Sequence, residues 1–224
     1  MTVRMPPAAR LVGDVHVVPV VHLDEALIVV DKPAGLLSVP GRGVDKQDCI
    51  ASRVRALQAD ALVVHRLDMA TSGLMLLARG AAMQRRLSIA FAQREVAKRY
   101  IAVVAGLMAA DSGEIDLPLL TDWPNRPLQK VDHHAGKPSL TRYRVLSRNR
   151  SSNTSRVELE PVTGRTHQLR VHLLAIGHPI VGDALYAPAA VREGAGRLLL
   201  HATSLSLAHP VTGSMLQFSS DAPF

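Results

Sequence analysis

The chain has 224 residues, 47% hydrophobic and 20% charged, enough apolar material to bury a sizeable core and too much for a disordered chain. Its single cysteine, Cys49, excludes a disulfide framework and a cysteine-based zinc finger, and fits a reducing compartment. A formal charge of +7, with 21 arginines against five lysines, points to an anionic partner such as nucleic acid, although arginine-rich codon usage would give the same ratio.

Residues 1–20 carry three prolines and Asp14 where a signal peptide needs an unbroken apolar stretch, so they read as a loosely held lead-in. No later stretch is long and apolar enough for a membrane helix, and a cytoplasmic protein is expected. Leu27–Val30 predicts a short buried strand, followed by a DKPAG turn and a second apolar segment closed by PGRG. Residues 45–60 predict a helix with Ile50, Val54 and Leu57 on one face. Two apolar runs, Leu62–Val64 and Leu74–Leu77, flank the polar segment HRLDMATSG. Residues 81–94 predict an amphipathic helix, with Met83, Leu87, Ala90 and Phe91 inward and Arg85, Arg86 and Arg94 outward. KRYIAVVAG reads as a strand and DLPLLTDWPNRP as a proline-rich excursion.

Thr141 to Pro161 predicts a hairpin in which Tyr143 and Val145 alternate with Arg142 and Arg144, and Val157 and Leu159 with Glu158 and Glu160. The charges on that outer face can pair across the strands, so these arginines are not counted as an RNA site. THQLRVHLLAIG predicts a helix with Leu169, Leu173 and Ile176 inward, ended by Gly177. LLLHATSLSLAHPVTGSMLQF reads as a final hairpin. Strands outnumber helices and short turns join most neighbours, so an α+β domain with a largely antiparallel sheet is expected.

Three places could carry chemistry. In HRLDMATSG, Asp68 sits on a polar loop between two buried runs, where a carboxylate can be fixed and partly dehydrated; it acts as a nucleophile if a cation keeps it ionised, or it merely caps the turn through Thr71 or Ser72. In TGRTHQLR, Arg165 is a candidate partner for a buried carboxylate, while Arg170 is expected to face solvent or phosphate. His167 and His172 are five residues apart, which does not share a helix face, and no acidic third ligand lies nearby, so no metal site is expected. Tyr100 in KRY is either a core residue or a ring that stacks on a base and moves a proton.

HRLDMATSG, the KRY tripeptide and TGRTHQLRVHLLAIGHPIVGDALY, in this order, resemble the RluA family of pseudouridine synthases, which share the HRLD-x-x-T-S-G motif. DKPAGLLSVPGR, DLPLLTDWPNRPLQKV and GKPSLTRYRV extend the likeness over nearly the whole chain and toward its dual-specificity branch. The resemblance implies a cofactor-free isomerase that breaks the N1–C1′ bond of a uridine in RNA and rejoins C5 to C1′. It implies an α+β fold around a long, mostly antiparallel mixed sheet with a central RNA-binding cleft. The catalytic domain would span residues 21–224 with no S4 RNA-binding domain ahead of it, and the protein would work as a monomer.

The residues then take roles by resemblance. Asp68 matches the nucleophile, Arg165 the arginine that pairs with it, and Tyr100 the tyrosine that stacks on the flipped uracil and helps remove the C5 proton. Arg66 matches the residue that fills the gap left in the RNA stack. Leu169 is either a wall of the base pocket or plain helix core, and Arg170 an RNA contact. The implied substrates are uridine 32 in a tRNA anticodon loop and uridine 746 of 23S rRNA, with a ribosome-only synthase as the alternative. A non-catalytic RNA-binding protein, or a hydrolase that uses Asp68 to release free uracil, are the rival functions.

Overall fold

The structure is a computed structural model and describes residues 18–224. The lead-in expected at residues 1–20 falls mostly outside the described residues. Among the described residues are twelve strands and four α-helices, an α+β protein; ten strands lie in hydrogen-bonded sheet and two form a separate hairpin. The chain divides into two compact units, one comprising the residues up to Val96 with Ser206–Ser220, the other Ala97–Leu205 with Asp221–Phe224.

In the first unit β1 (Val20–Leu23) pairs with β2 (Leu27–Lys32), and β2 with β4 (Ser72–Arg79), both antiparallel. The short β3 (Ala61–Val63) also pairs with β4. Residues Leu27–Val30 and Leu74–Ala78 are at most 1% exposed. Continuous apolar runs of this kind, rather than alternation, mark strands covered on both faces. Helix α1 (Ile50–Leu57) is shorter than expected because Cys49 caps it, its sulfur accepting from the Ser52 N–H while the Ser52 hydroxyl accepts from the Cys49 N–H. Ile50 and Val54 are buried, but Leu57, in the last turn, is exposed. Helix α2 (Gly80–Ala92) buries Leu87 and half-buries Met83, Ala90 and Phe91, with Arg85 and Arg86 outward as expected.

The second unit begins with β5 (Ala97–Ala105) and continues through β6 (Ser112–Asp116), the hairpin β7 (Leu119–Thr121) and β8 (Gln129–Val131), β9 (Leu140–Asn149) and β10 (Thr154–Pro161). Helices α3 (Gln168–Ala175) and α4 (Ala189–Arg192) follow, then β11 (Leu200–Ala208). The last residues of β11 belong to the first unit, as does its partner β12 (Met215–Ser219), which completes the expected final hairpin. Strand order is β11-β5-β10-β9-β6, and the β5–β10, β10–β9 and β9–β6 pairings are antiparallel. Ala102, Val104, Val157, Leu159, Leu173 and Ile180 form its core, each at most 1% exposed.

The β9–β10 register sets Arg144 opposite Glu158 and Arg142 opposite Glu160. Arg144 reaches Glu158 at 3.1 Å, and Arg142 contacts Glu114 at 2.8 Å and Glu160 at 3.7 Å. These arginines are cross-strand partners, as the sequence pattern suggests; at such exposure the pairs contribute little to stability.

Candidate active site

The HRLDMATSG loop joins β3 to β4 in the first unit and is held at nearly every residue. The Ser38 hydroxyl donates to the Leu67 carbonyl at 2.6 Å and accepts from the Leu67 N–H at 3.1 Å, which clamps the peptide groups just before Asp68. The Thr71 N–H donates to the main-chain carbonyl of Asp68 at 3.1 Å and closes the turn. His65 stacks on Phe91 at 4.5 Å, and its Nε2 accepts from the Leu76 N–H at 2.9 Å, which requires that nitrogen to be unprotonated. The motif glycine has a physical reason: Gly73 sits at φ +110°, a region side chains rarely adopt. Asp68 is left half-buried on this rigid loop, and Arg66 is exposed.

Beneath the loop lies a residue that pattern reading passed over. Lys32, at the end of β2, is fully buried. Its ammonium donates to the carbonyls of Pro33 at 2.9 Å, Leu36 at 2.6 Å and Met69 at 3.0 Å, matching its three N–H bonds with three acceptors. The Met69 carbonyl also accepts from the Gly35 N–H at 2.8 Å. The DKPAG turn therefore serves as a platform for the Asp68 loop. The only signal in the sequence is a lysine between two apolar segments, which ordinarily reads as solvent-facing.

The other candidate residues belong to the second unit. Tyr100 and Lys98 alternate with exposed Arg99 along β5, so they share a face, and both are half-buried. Burial pushes the Lys98 ammonium below its ordinary pKa. Gly164 lies alongside, where an added Cβ would meet Lys98 Nζ at 4.0 Å.

Arg165 is exposed on the turn between β10 and α3, and its Nε donates to the Pro138 carbonyl at 3.4 Å. That turn is built around Gln168, another residue the motif reading missed. The Gln168 Oε1 accepts from the Thr163 hydroxyl at 2.7 Å and the Arg165 N–H at 3.0 Å. Its Nε2 donates to the Leu140 carbonyl and to Thr141 Oγ1, both at 3.0 Å. A buried amide with all four bonds made holds the Arg165 backbone in one conformation.

The structure corrects the expectation for Arg170. Its side chain is 4% exposed and grips Asp183, itself 1% exposed, through Nε–Oδ2 at 2.8 Å and Nη2–Oδ1 at 2.6 Å. A phosphate contact needs a solvent-facing guanidinium, and this one is committed to a buried carboxylate. Asp183 also accepts from the Leu185 and Tyr186 N–H groups. The Tyr186 hydroxyl in turn meets His167 Nδ1 at 2.6 Å and accepts from the Gln129 N–H at 2.9 Å. Leu169 is 7% exposed. Helix α3 starts at Gln168 because His167 adopts φ +54°, and Ile176, expected inward, lies past its end at 36% exposure.

Similar proteins carry an RNA chemistry in their names. Residues 26–175 match the family model described as RNA pseudouridylate synthase. The chain is 50% identical over 205 residues to a "Dual-specificity RNA pseudouridine synthase RluA" of Yersinia pestis, covering 92% of this chain and 99% of that one. It is 48% identical to the protein of the same name from Escherichia coli K12, over 92% of this chain and 93% of that one. Among solved structures, "Human RNA Pseudouridylate Synthase Domain Containing 1" superposes with a TM-score of 0.77 at 28% identity, covering 92% of this chain and 84% of that one. "Human RNA Pseudouridylate Synthase Domain Containing 4" gives 0.71 at 27%, over 91% and 88%. The matched span contains both the clamped Asp68 loop and the Gln168-built Arg165 turn, and this chain belongs to the RNA pseudouridylate synthase family, isomerases that convert uridine to pseudouridine in RNA.

Proposed function

We propose that the chain isomerises uridine in two kinds of RNA, a tRNA anticodon stem-loop and 23S rRNA, with Asp68 as nucleophile. The observation that carries this reading is the Asp68 loop: a half-buried carboxylate on a backbone pinned by Ser38, Lys32 and Gly35 is aimed before substrate arrives. Asp68 attacks ribose C1′ or uracil C6, the N1–C1′ bond breaks, the uracil turns, C5 bonds to C1′, and the bond to Asp68 breaks to give back the carboxylate. C5 loses a proton and N1 gains one, so the RNA keeps its mass. Arg165 serves as the cation that pairs with Asp68 in the reaction, and Tyr100 stacks on the uracil and takes the C5 proton.

Extrusion of the target base is required because C1′ and C5 cannot rearrange inside a stack, and a loop base costs only a few kcal/mol to flip. Exposed Arg66 fills the vacated space and Leu169 walls the base pocket. The catalytic machinery draws on residues 21–224 as a monomer in the cytoplasm and uses no cofactor. Support for two substrates comes from the dual-specificity name borne by relatives at 48–50% identity.

The test is incubation with an isolated anticodon stem-loop of about 17 nucleotides, one stem and its loop, and separately with 23S rRNA. Pseudouridine in both at unchanged RNA mass is expected. Modification of ribosomal RNA alone would replace this reading with a ribosome-only synthase, and loss of a uracil mass would replace it with a hydrolase.

A further inference from the structure

The hairpin of β7 and β8 ends in Asp122-Trp123-Pro124-Asn125-Arg126-Pro127, and its tip exposes the only tryptophan in the chain. Trp123 is 66% exposed. The Arg126 guanidinium lies 3.3 Å over the centre of the Trp123 ring system and covers one face, and the high exposure that remains leaves the opposite face for a partner. We propose that this open indole face is a stacking platform for an unpaired nucleobase of the RNA substrate beside the target uridine. The inference rests on the RNA-modifying reading above and adds a contact to it.

Three observations support it. First, the tip is rigid before binding: the Asn125 N–H donates to the Asp122 carbonyl at 3.1 Å, the Leu128 N–H to the Asn125 carbonyl at 3.0 Å, and the Asp122 N–H to the Leu128 carbonyl at 2.9 Å. Two prolines stiffen it further, so stacking orders little additional chain. Second, the tip is braced to the Arg165 turn. The Gln129 N–H, at the base of the tip, donates to the Tyr186 hydroxyl, which bonds His167, two residues beyond Arg165. The Arg165 side chain itself leans on Pro138, just past the bridge between Leu119 and Lys137. Third, the charges suit RNA. The Arg126 cation lies over the ring, and the carboxylate of the tip itself, Asp122, accepts from the Asn125 amide at 2.9 Å. An indole backed by a guanidinium offers a base both stacking and favourable charge.

Because Trp123 is the sole tryptophan, its emission reports the contact directly. The experiment titrates the full chain carrying Asp68→Asn with the anticodon stem-loop and follows tryptophan emission together with the anisotropy of labelled RNA. Emission should fall by roughly half or more in step with binding, as base stacking on the indole requires. Trp123→Ala should weaken binding about 10- to 100-fold, the size of one base–aromatic stack, with the loss of turnover in the otherwise wild-type enzyme carried by KM and thermal unfolding unchanged. Trp123→Phe should restore most of the affinity. Binding with unchanged emission, or Trp123→Ala binding like the parent, overturns the platform and leaves the synthase reading intact. An otherwise wild-type chain that neither binds nor modifies naked RNA overturns both.

Discussion

At the residue scale, the proposed nucleophile and its support separate cleanly in what their loss should do. Asp68→Asn keeps the shape and half-burial of the side chain but cannot attack. Turnover should fall by more than about a thousandfold, while RNA affinity, which phosphate contacts dominate, stays within a few-fold; residual activity near the wild-type rate would remove Asp68 from the chemistry. Lys32→Met acts differently. It withdraws a donor from the buried Leu36 carbonyl and from the part-buried carbonyls of Pro33 and Met69, the last of which keeps the Gly35 N–H, and a buried orphan costs about 1–3 kcal/mol. A loss of about 1–3 kcal/mol in chemical denaturation is expected, along with lower kcat as the Asp68 loop loosens. Full stability would mean that the platform is held by other contacts.

At the element scale, α3 shows how a helix can be polar and buried at once. Gln168, Arg170 and His172 are all at most 4% exposed, and each has partners outside the helix: the Thr163 turn, Asp183, and Thr141 with the Leu117 carbonyl. Gln168→Leu is close in volume but removes four hydrogen bonds, two of them to the turn that presents Arg165. The expected result is a loss of about 2–4 kcal/mol and a drop in kcat larger than the change in RNA affinity. Equal falls in affinity and kcat would argue that the turn serves binding alone.

Desolvation lowers the His172 pKa from its ordinary value of 6.5, against weaker upward pulls from the Leu117 carbonyl and Asp116. The unfolded chain therefore binds a proton that the folded chain resists. His172 contributes stability that is present above about pH 6.5 and is lost as pH falls toward its lower folded value. The midpoint denaturant concentration should decline on acidification through this window, and His172→Gln should flatten that decline; an unchanged slope in the variant would assign the effect elsewhere.

Over the whole molecule, the charge balance sets how RNA is gathered. A formal +7 steers a polyanion, but the structure shows that arginine counts overstate the available grip. Arg142 and Arg144 are paired on the outer face, and Arg170 is sealed with Asp183. Binding of the stem-loop should still weaken linearly with log salt, with a slope of about −3 to −4, the release expected for some five phosphates. A slope near zero would leave shape and stacking as the only source of affinity.

The candidate site residues were readable because their motifs are local. HRLDMATSG and TGRTHQLR each place their polar side chains within ten positions of chain, and the apolar runs of β2 and β4 show as unbroken stretches. The α+β class followed from strand spacing, and the outer ion pairs of β9 and β10 from simple alternation. Roles that depend on distant partners are set by the packing of the folded chain. Arg170 looked like a phosphate contact because nothing within the helix reveals Asp183, thirteen residues on. Lys32 looked like a turn residue because its three acceptors become a cage only when the Met69 turn folds over it. Leu57 and Ile176 fit the helical period but sit at helix ends, where no neighbouring element covers them. Periodicity reports which face of a segment is apolar. Whether a buried charge is met by a partner is decided by residues that local sequence does not contain.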